Sequence, residues 1–230
     1  MLLGTSTINK TSLDCLHYNR LYILAKTAEQ QEPYQLLYHG FKNGLSRQSI
    51  RWLFKNQSKF KGWSIPALCE YYSRIKPETP TVEIILTTNI KDIPPPDTLD
   101  QTKRNLMVYD DCLEENQSLM KKYYTRGRHS NCNVIYLTQS YFEIDRKHIR
   151  GNSNYFILFK LSAGDRDRFH RDILSGDISF KDFQHLTDEY WKTKYNYVAV
   201  NSNPEDPKDL IKTNIFAFGS SKNEFNNKKI

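Results

Sequence analysis

At 230 residues, 38% of them apolar and 13% aromatic, the chain suits one α/β domain that would bury roughly 70–75% of the surface exposed on unfolding. Its longest apolar runs are strand-length, far below the ~20 residues of a membrane span, and no basic segment followed by an apolar one opens it, so neither a membrane helix nor a secretory signal is expected. The net charge of +7 favours a polyanionic partner, while Cys15, Cys69, Cys112 and Cys132 lack C-x-x-C or Cys/His ligand spacing, which argues against structural zinc or a disulfide framework and for a reducing intracellular compartment.

Taken in chain order, Met1-Leu-Leu3 reads as the stub of a strand, followed by a loop and a helix opening near Lys10. Arg20-Leu-Tyr-Ile-Leu-Ala25 is a second strand, and residues 30–74 are mostly helical, punctuated by Gly40, Gly44, Gly62 and Pro66. Residues 81–87 form a third strand. Ile93-Pro-Pro-Pro96 must be an extended loop, because consecutive prolines remove donors and fix φ. Then come the run Asn105-Leu-Met-Val-Tyr-Asp-Asp-Cys112, a helix over 117–124, the strand Asn133-Val-Ile-Tyr-Leu-Thr138 and a strand over 155–159. Helices are expected over 165–174 and 179–191, closing strands over 195–200 and 213–217, and a polar, disordered tail over 219–230, leaving one domain over 1–218. Alternation of this kind predicts a mainly parallel sheet with helices on both faces. Basic residues cluster at 47–61 and 121–128, interleaved with Trp52, Phe54, Phe60, Tyr123 and Tyr124, a pattern that suits a phosphate backbone as well as an ordinary amphipathic helix.

Two stretches carry chemistry. The apolar run ending at Asp110 and Asp111 delivers paired carboxylates to a strand end, which is how many P-loop NTPases hold Mg²⁺ and prepare a water for attack on a γ-phosphate. Gly4-Thr-Ser-Thr-Ile-Asn-Lys-Thr11 has the spacing of G-x-x-x-x-G-K-[ST], in which backbone N–H groups cradle phosphates, the lysine reaches the β/γ oxygens and the hydroxyl ligates Mg²⁺. Asn9 stands at the second glycine, and asparagine is the non-glycine residue that best tolerates φ > 0. The same octapeptide also suits a helix N-terminus capped by Thr5, Ser6 or Thr7, with Lys10 solvated.

With these elements, the stretches Asp92-Ile-Pro-Pro-Pro-Asp97, Val108-Tyr-Asp-Asp111, Tyr124-Thr-Arg-Gly-Arg-His129, Ile135-Tyr-Leu-Thr-Gln-Ser140 and Ile149-Arg-Gly-Asn-Ser-Asn154 resemble the FtsK/HerA-type P-loop ATPases. Within that family they resemble the poxvirus-like DNA-packaging ATPases of large DNA viruses, virophages and Polinton/Maverick elements. The resemblance covers residues 1–218 and implies a RecA-like (ASCE) fold, ATP and Mg²⁺ as cofactors, and double-stranded DNA as cargo. It further implies a homo-oligomeric ring, a hexamer in the family, working with a capsid or portal protein at a virus assembly site or in the host nucleus or cytoplasm. By the resemblance, Gly4, Ser6, Asn9, Lys10, Thr11 and Ser12 hold the nucleotide and Thr11 and Asp110 the Mg²⁺. Asp111 polarises the attacking water, Gln139 senses the γ-phosphate, and Arg126 or Arg128 is the finger given to a neighbouring subunit, with Arg150 as a further candidate. Each has a plainer alternative: an N-cap for Asp111, a strand-end cap for Gln139, a solvated turn for the arginines and a structural hydrogen bond for His129. Only Met1-Leu2-Leu3 precede Gly4, where a phosphate-loop strand usually has about five residues, so a truncated first strand is expected. A catalytically weak relative serving as a DNA-binding or capsid-assembly module, or a helicase or DNA pump of the same superfamily, has the same spacing.

Overall fold

The computed structural model describes residues 2–5, 18–80 and 82–213, with only the backbone course described for 2–5. Its strands are β1 (Leu2–Thr5), β2 (Arg20–Ala25), β3 (Glu83–Thr87), β4 (Asn105–Asp110), β5 (Cys132–Leu137), β6 (Tyr155–Leu158), β7 (Val198–Asn201) and β8 (Ile211–Lys212). Helices α1 (Glu32–Lys42), α2 (Arg47–Asn56) and α3 (Ile65–Ile75) connect β2 to β3, α4 (Ser118–Arg126) connects β4 to β5, and α5 (Ala163–Phe169) and α6 (Phe180–Tyr190) lie between β6 and β7. Serines set several helix starts: the hydroxyls of Ser46, Ser64, Ser162 and Ser179 each accept from the backbone N–H three residues on, at α2, α3, α5 and α6. Pro33 and Pro66 occupy the first turns of α1 and α3, where a missing N–H costs nothing.

The eight strands make one sheet in the order β3-β2-β4-β5-β1-β6-β7-β8. Its α/β half is as the alternation predicts. β3, β2, β4 and β5 are parallel, with Ala25 opposite Asp110 and Asp110 opposite Leu137. The strands bury side chains on both faces: Tyr22, Leu24, Met107, Tyr109, Val134 and Tyr136 enter a core shared with α4, α5 and α6, while Leu21, Ile23, Ala25 and Leu106 enter one shared with α1, α2 and α3. Strands buried on both sides need continuous apolar runs, which is why β2 and β4 are legible as such.

The other half is antiparallel. β1 lies between β5 and β6 and runs against both, with Gly4 opposite Ile135 and Tyr155, and β6, β7 and β8 follow as antiparallel neighbours. The closing strand expected over 195–200 begins only at Val198, because Tyr195 takes the left-handed backbone (φ 68°) in the preceding turn. The strand expected over 213–217 falls almost wholly outside the described residues, and β8 pairs with β7 just before it. The loop and helix after β1, and the tail from 219, also lie outside them. Among the described residues no helix is long and apolar enough to cross a membrane.

Candidate functional site

β2, β4 and β5 end side by side at the carboxyl edge of the parallel strands, and this edge gathers the acidic residues singled out from the sequence. Asp110 closes β4 half-buried, and its Oδ2 accepts a hydrogen bond of 2.7 Å from the Tyr34 hydroxyl on α1. Burial, followed by this carboxylate, drives the Tyr34 phenol well above its usual pKa, so it stays a donor. Asp111 follows in the left-handed region (φ 51°), a conformation asparagine and aspartate tolerate better than most residues. Its N–H donates to the Leu137 carbonyl at 3.1 Å, continuing the ladder one step past the strand, and its side chain is exposed. The turn therefore aims two neighbouring carboxylates differently, one inward against Tyr34 and one to solvent.

The surroundings fix that edge. Cys112 is buried with its Sγ toward the carbonyls of Leu24 and Asp110, and burial pushes its thiol up to about 12, so it is an inert packing group. Burial likewise raises Cys69 to about 11 and Cys132 to about 12. Lys26, one residue past β2, pairs with Glu115 at 2.5 Å and clamps the loop after the acids. Gln139, two residues beyond β5, is exposed on the same edge, next to buried Thr138. Asp110 and Asp111 from β4 and Gln139 from β5 are thus brought to one edge by two parallel strand ends.

The other sequence-derived residues lie elsewhere. Gly4 is a paired strand residue rather than part of a loop, and Thr5, opposite Val134, leaves the sheet about 10 Å back along β5 from Leu137 at ~3.3 Å per residue, running away from the acids. The sheet expected to be mainly parallel has an exception here: β1 takes an antiparallel slot between β5 and β6, so Gly4, assigned by resemblance to the nucleotide, is held in a strand ladder. Ser6, Asn9, Lys10, Thr11 and Ser12 lie outside the described residues. Arg126 ends α4 and Arg128 sits in the short 3-10 turn Gly127–Ser130 that leads into β5; both are exposed, at the opposite end of the sheet from Asp110. His129 is exposed beside them. Arg150 is corrected as a finger candidate: it is buried, donates to Asp172 at 2.8 Å and lies over the Tyr141 ring at 4.6 Å, so its guanidinium is committed inside the fold.

Tyr34 is the residue that the sequence did not reveal. It is separated from Asp110 by 76 positions, and nothing in its local pattern marks it beyond a place on an amphipathic helix.

The donor set fits a hard divalent cation. Mg²⁺ is commonly held by one or two carboxylates with waters and phosphates completing its shell, and Asp110 would supply one such carboxylate, while no group of three or more His, Cys, Asp or Glu side chains converges among the described residues.

No protein-family model and no curated protein matches the chain. Two solved structures are similar to it. Both are of the genome packaging NTPase B204 from Sulfolobus turreted icosahedral virus 2, one in complex with AMP and one with ATP-gammaS. The AMP complex is 11% identical, covers 85% of this chain and 96% of that chain, and has a TM-score of 0.38. The ATP-gammaS complex is 10% identical, covers 85% and 95%, and has a TM-score of 0.39. Values this low carry no argument about activity.

Proposed function

We propose that this chain is an ATP-driven motor ATPase of a virus or virus-like transposon that moves double-stranded DNA, with Asp110 and Asp111 at the end of β4 as its chemical centre. The observation behind the reading is the pair of adjacent carboxylates at a central parallel strand end, Asp111 turned to solvent by its left-handed backbone, with Gln139 on the neighbouring strand end. In this reading Asp110, oriented by the Tyr34 hydroxyl, and Thr11 hold Mg²⁺, whose role is to neutralise charge on the phosphates. Asp111 takes the proton of the attacking water, and Gln139 contacts the γ-phosphate. Lys10, with Ser6, Asn9, Thr11 and Ser12, binds the nucleotide. Arg126 and Arg128 stand at the far end of the sheet from the acids of their own chain, which suits a finger supplied to a neighbour in a ring.

A second reading also has an observation behind it. β1 itself runs antiparallel to β5, with Thr5 at the end away from Asp110, and a catalytically weak relative acting as a DNA-binding or capsid-assembly module needs no phosphate loop at the acids.

The test is ATP hydrolysis by the purified chain with Mg²⁺, with and without duplex DNA, beside nucleotide binding by calorimetry. Asp111→Asn keeps a residue that tolerates the left-handed turn, so it should retain binding and lose turnover by ~10²–10⁴-fold. Lys10→Ala should lose binding. Turnover at background in the wild type, or equal nucleotide affinity in wild type and Lys10→Ala, overturns the first reading.

A further inference from the structure

Helices α2 and α3 and the turn between them present a surface that the carboxylate edge does not use. Between Arg47 and Lys61 the chain carries Arg47, Arg51, Lys55, Lys59 and Lys61 and no acidic residue. Arg51, Lys55 and Lys61 make no ion pair among the described residues. On this segment, just after it and on α3, large rings stand in solvent: Trp52 is 40% exposed, Trp63 48% and Tyr71 44%. They are not loose. Trp52 stacks on Tyr72 with centroids 5.4 Å apart and planes at 27°, the Lys59 ammonium lies 5.8 Å from the Trp52 centroid, and Trp63 packs on Tyr71 at 5.1 Å. Gly62, at φ 84°, makes the turn that carries the chain from Lys61 to Trp63.

We propose that this face binds single-stranded nucleic acid, with unpaired bases stacking on Trp52, Trp63 and Tyr71 and the basic side chains meeting the phosphates. Held rings with open area are ready stacking platforms, and every base has a face to offer once it is unpaired. A duplex hides those faces, so it would use the charges alone. A second copy of the chain would bring the same cations against themselves, so charge complementarity selects a polyanion. The inference rests on this surface and not on hydrolysis: binding is measured without nucleotide, so loss of the ATPase reading leaves it standing, and its own failure leaves that reading untouched.

The experiment is fluorescence anisotropy with a labelled oligothymidylate of about 16 nucleotides and a duplex of equal length, across a salt series. The oligothymidylate should bind more tightly than the duplex. Trp63→Ala should weaken it by ~5- to 150-fold, the range of one lost stacking contact. Lys55→Ala should lower the salt slope by roughly 0.7. Trp52 also packs internally, so the more exposed Trp63 and Lys55 carry the test, each variant being checked for an unchanged melting curve. Equal affinity for strand and duplex, or unchanged binding by folded Trp63→Ala, overturns the proposal. So does a wild-type dimer that Trp63→Ala converts to monomer with no oligothymidylate bound, which would make the face a self-contact.

Discussion

Tyr34→Phe isolates the one side-chain hydrogen bond that Asp110 makes among the described residues. The bond is 2.7 Å long, at the short end for O–H···O, and its acceptor is a carboxylate, so in a buried setting it would be worth ~1.5–3 kcal/mol. Both partners are only half-buried, which discounts this to ~1–2 kcal/mol. In a chain of this size each kcal/mol moves Tm by ~2–4 °C, so Tyr34→Phe should melt ~2–8 °C lower. The phenyl ring keeps its packing on α1, so the loss belongs to the hydroxyl alone. Urea denaturation of the wild type, Tyr34→Phe, Asp110→Asn and the double variant gives the coupling directly, expected at ~1 kcal/mol or more. Coupling below ~0.3 kcal/mol, within the error of additive sites, would refute the idea that α1 positions this carboxylate.

Other consequences can be checked by the same melts. A Cβ added at Gly40 would come within 2.6 Å of Ile50 Cγ1, so Gly40→Ala should cost ~1–3 kcal/mol by prising α1 from α2, and Ile50→Val in the same chain should return part of it. Glu78 accepts from the Ser46 backbone N–H at 2.6 Å and from Ser49 and Lys76, which outweigh its burial and hold its carboxyl down at about 2. A depressed folded pKa stabilises above the unfolded value near ~4.3 and is lost as pH falls from there toward 2, so Glu78→Gln should lower stability at pH 7 by ~1–2 kcal/mol and flatten the acid limb of the stability curve. The Tyr109 hydroxyl is buried without a hydrogen-bond partner among the described residues, so Tyr109→Phe should raise stability by ~1 kcal/mol.

Much of the fold was legible because burial on both faces leaves an unambiguous signature. Residues 21–25 and 106–109 are unbroken apolar runs, opened by Arg20 and Asn105 and the second closed by Asp110, and they lie in β2 and β4. The serines that cap α2, α3, α5 and α6 act through short-range bonds, a local signal that the reading of 30–74 as one mostly helical stretch did not use. Strand direction is a different matter. A four-residue strand such as β1 carries no internal mark of which way it will lie, and its neighbours in the sheet, β5 and β6, are more than 120 residues away in the chain. Tyr195-Asn-Tyr-Val alternates like a strand, yet the positive φ at Tyr195 makes its first part a turn. At the site, adjacency made Asp110 and Asp111 visible, whereas Tyr34 and the Arg150–Asp172 pair depend on contacts between distant segments that no local pattern encodes.

The slot held by β1 has a mechanical meaning. Among the described strands β5 and β6 never pair with each other; every backbone bond across that divide passes through Leu2–Thr5. The sheet therefore has a seam, closed by a few net contributions of ~0.5–1.5 kcal/mol rather than by a full-length ladder. Loss of that single short strand would uncover a row of amides on β5 and another on β6, leaving the two halves joined by the side-chain core they share. The carboxylates at the end of β4 sit on the parallel side of the seam.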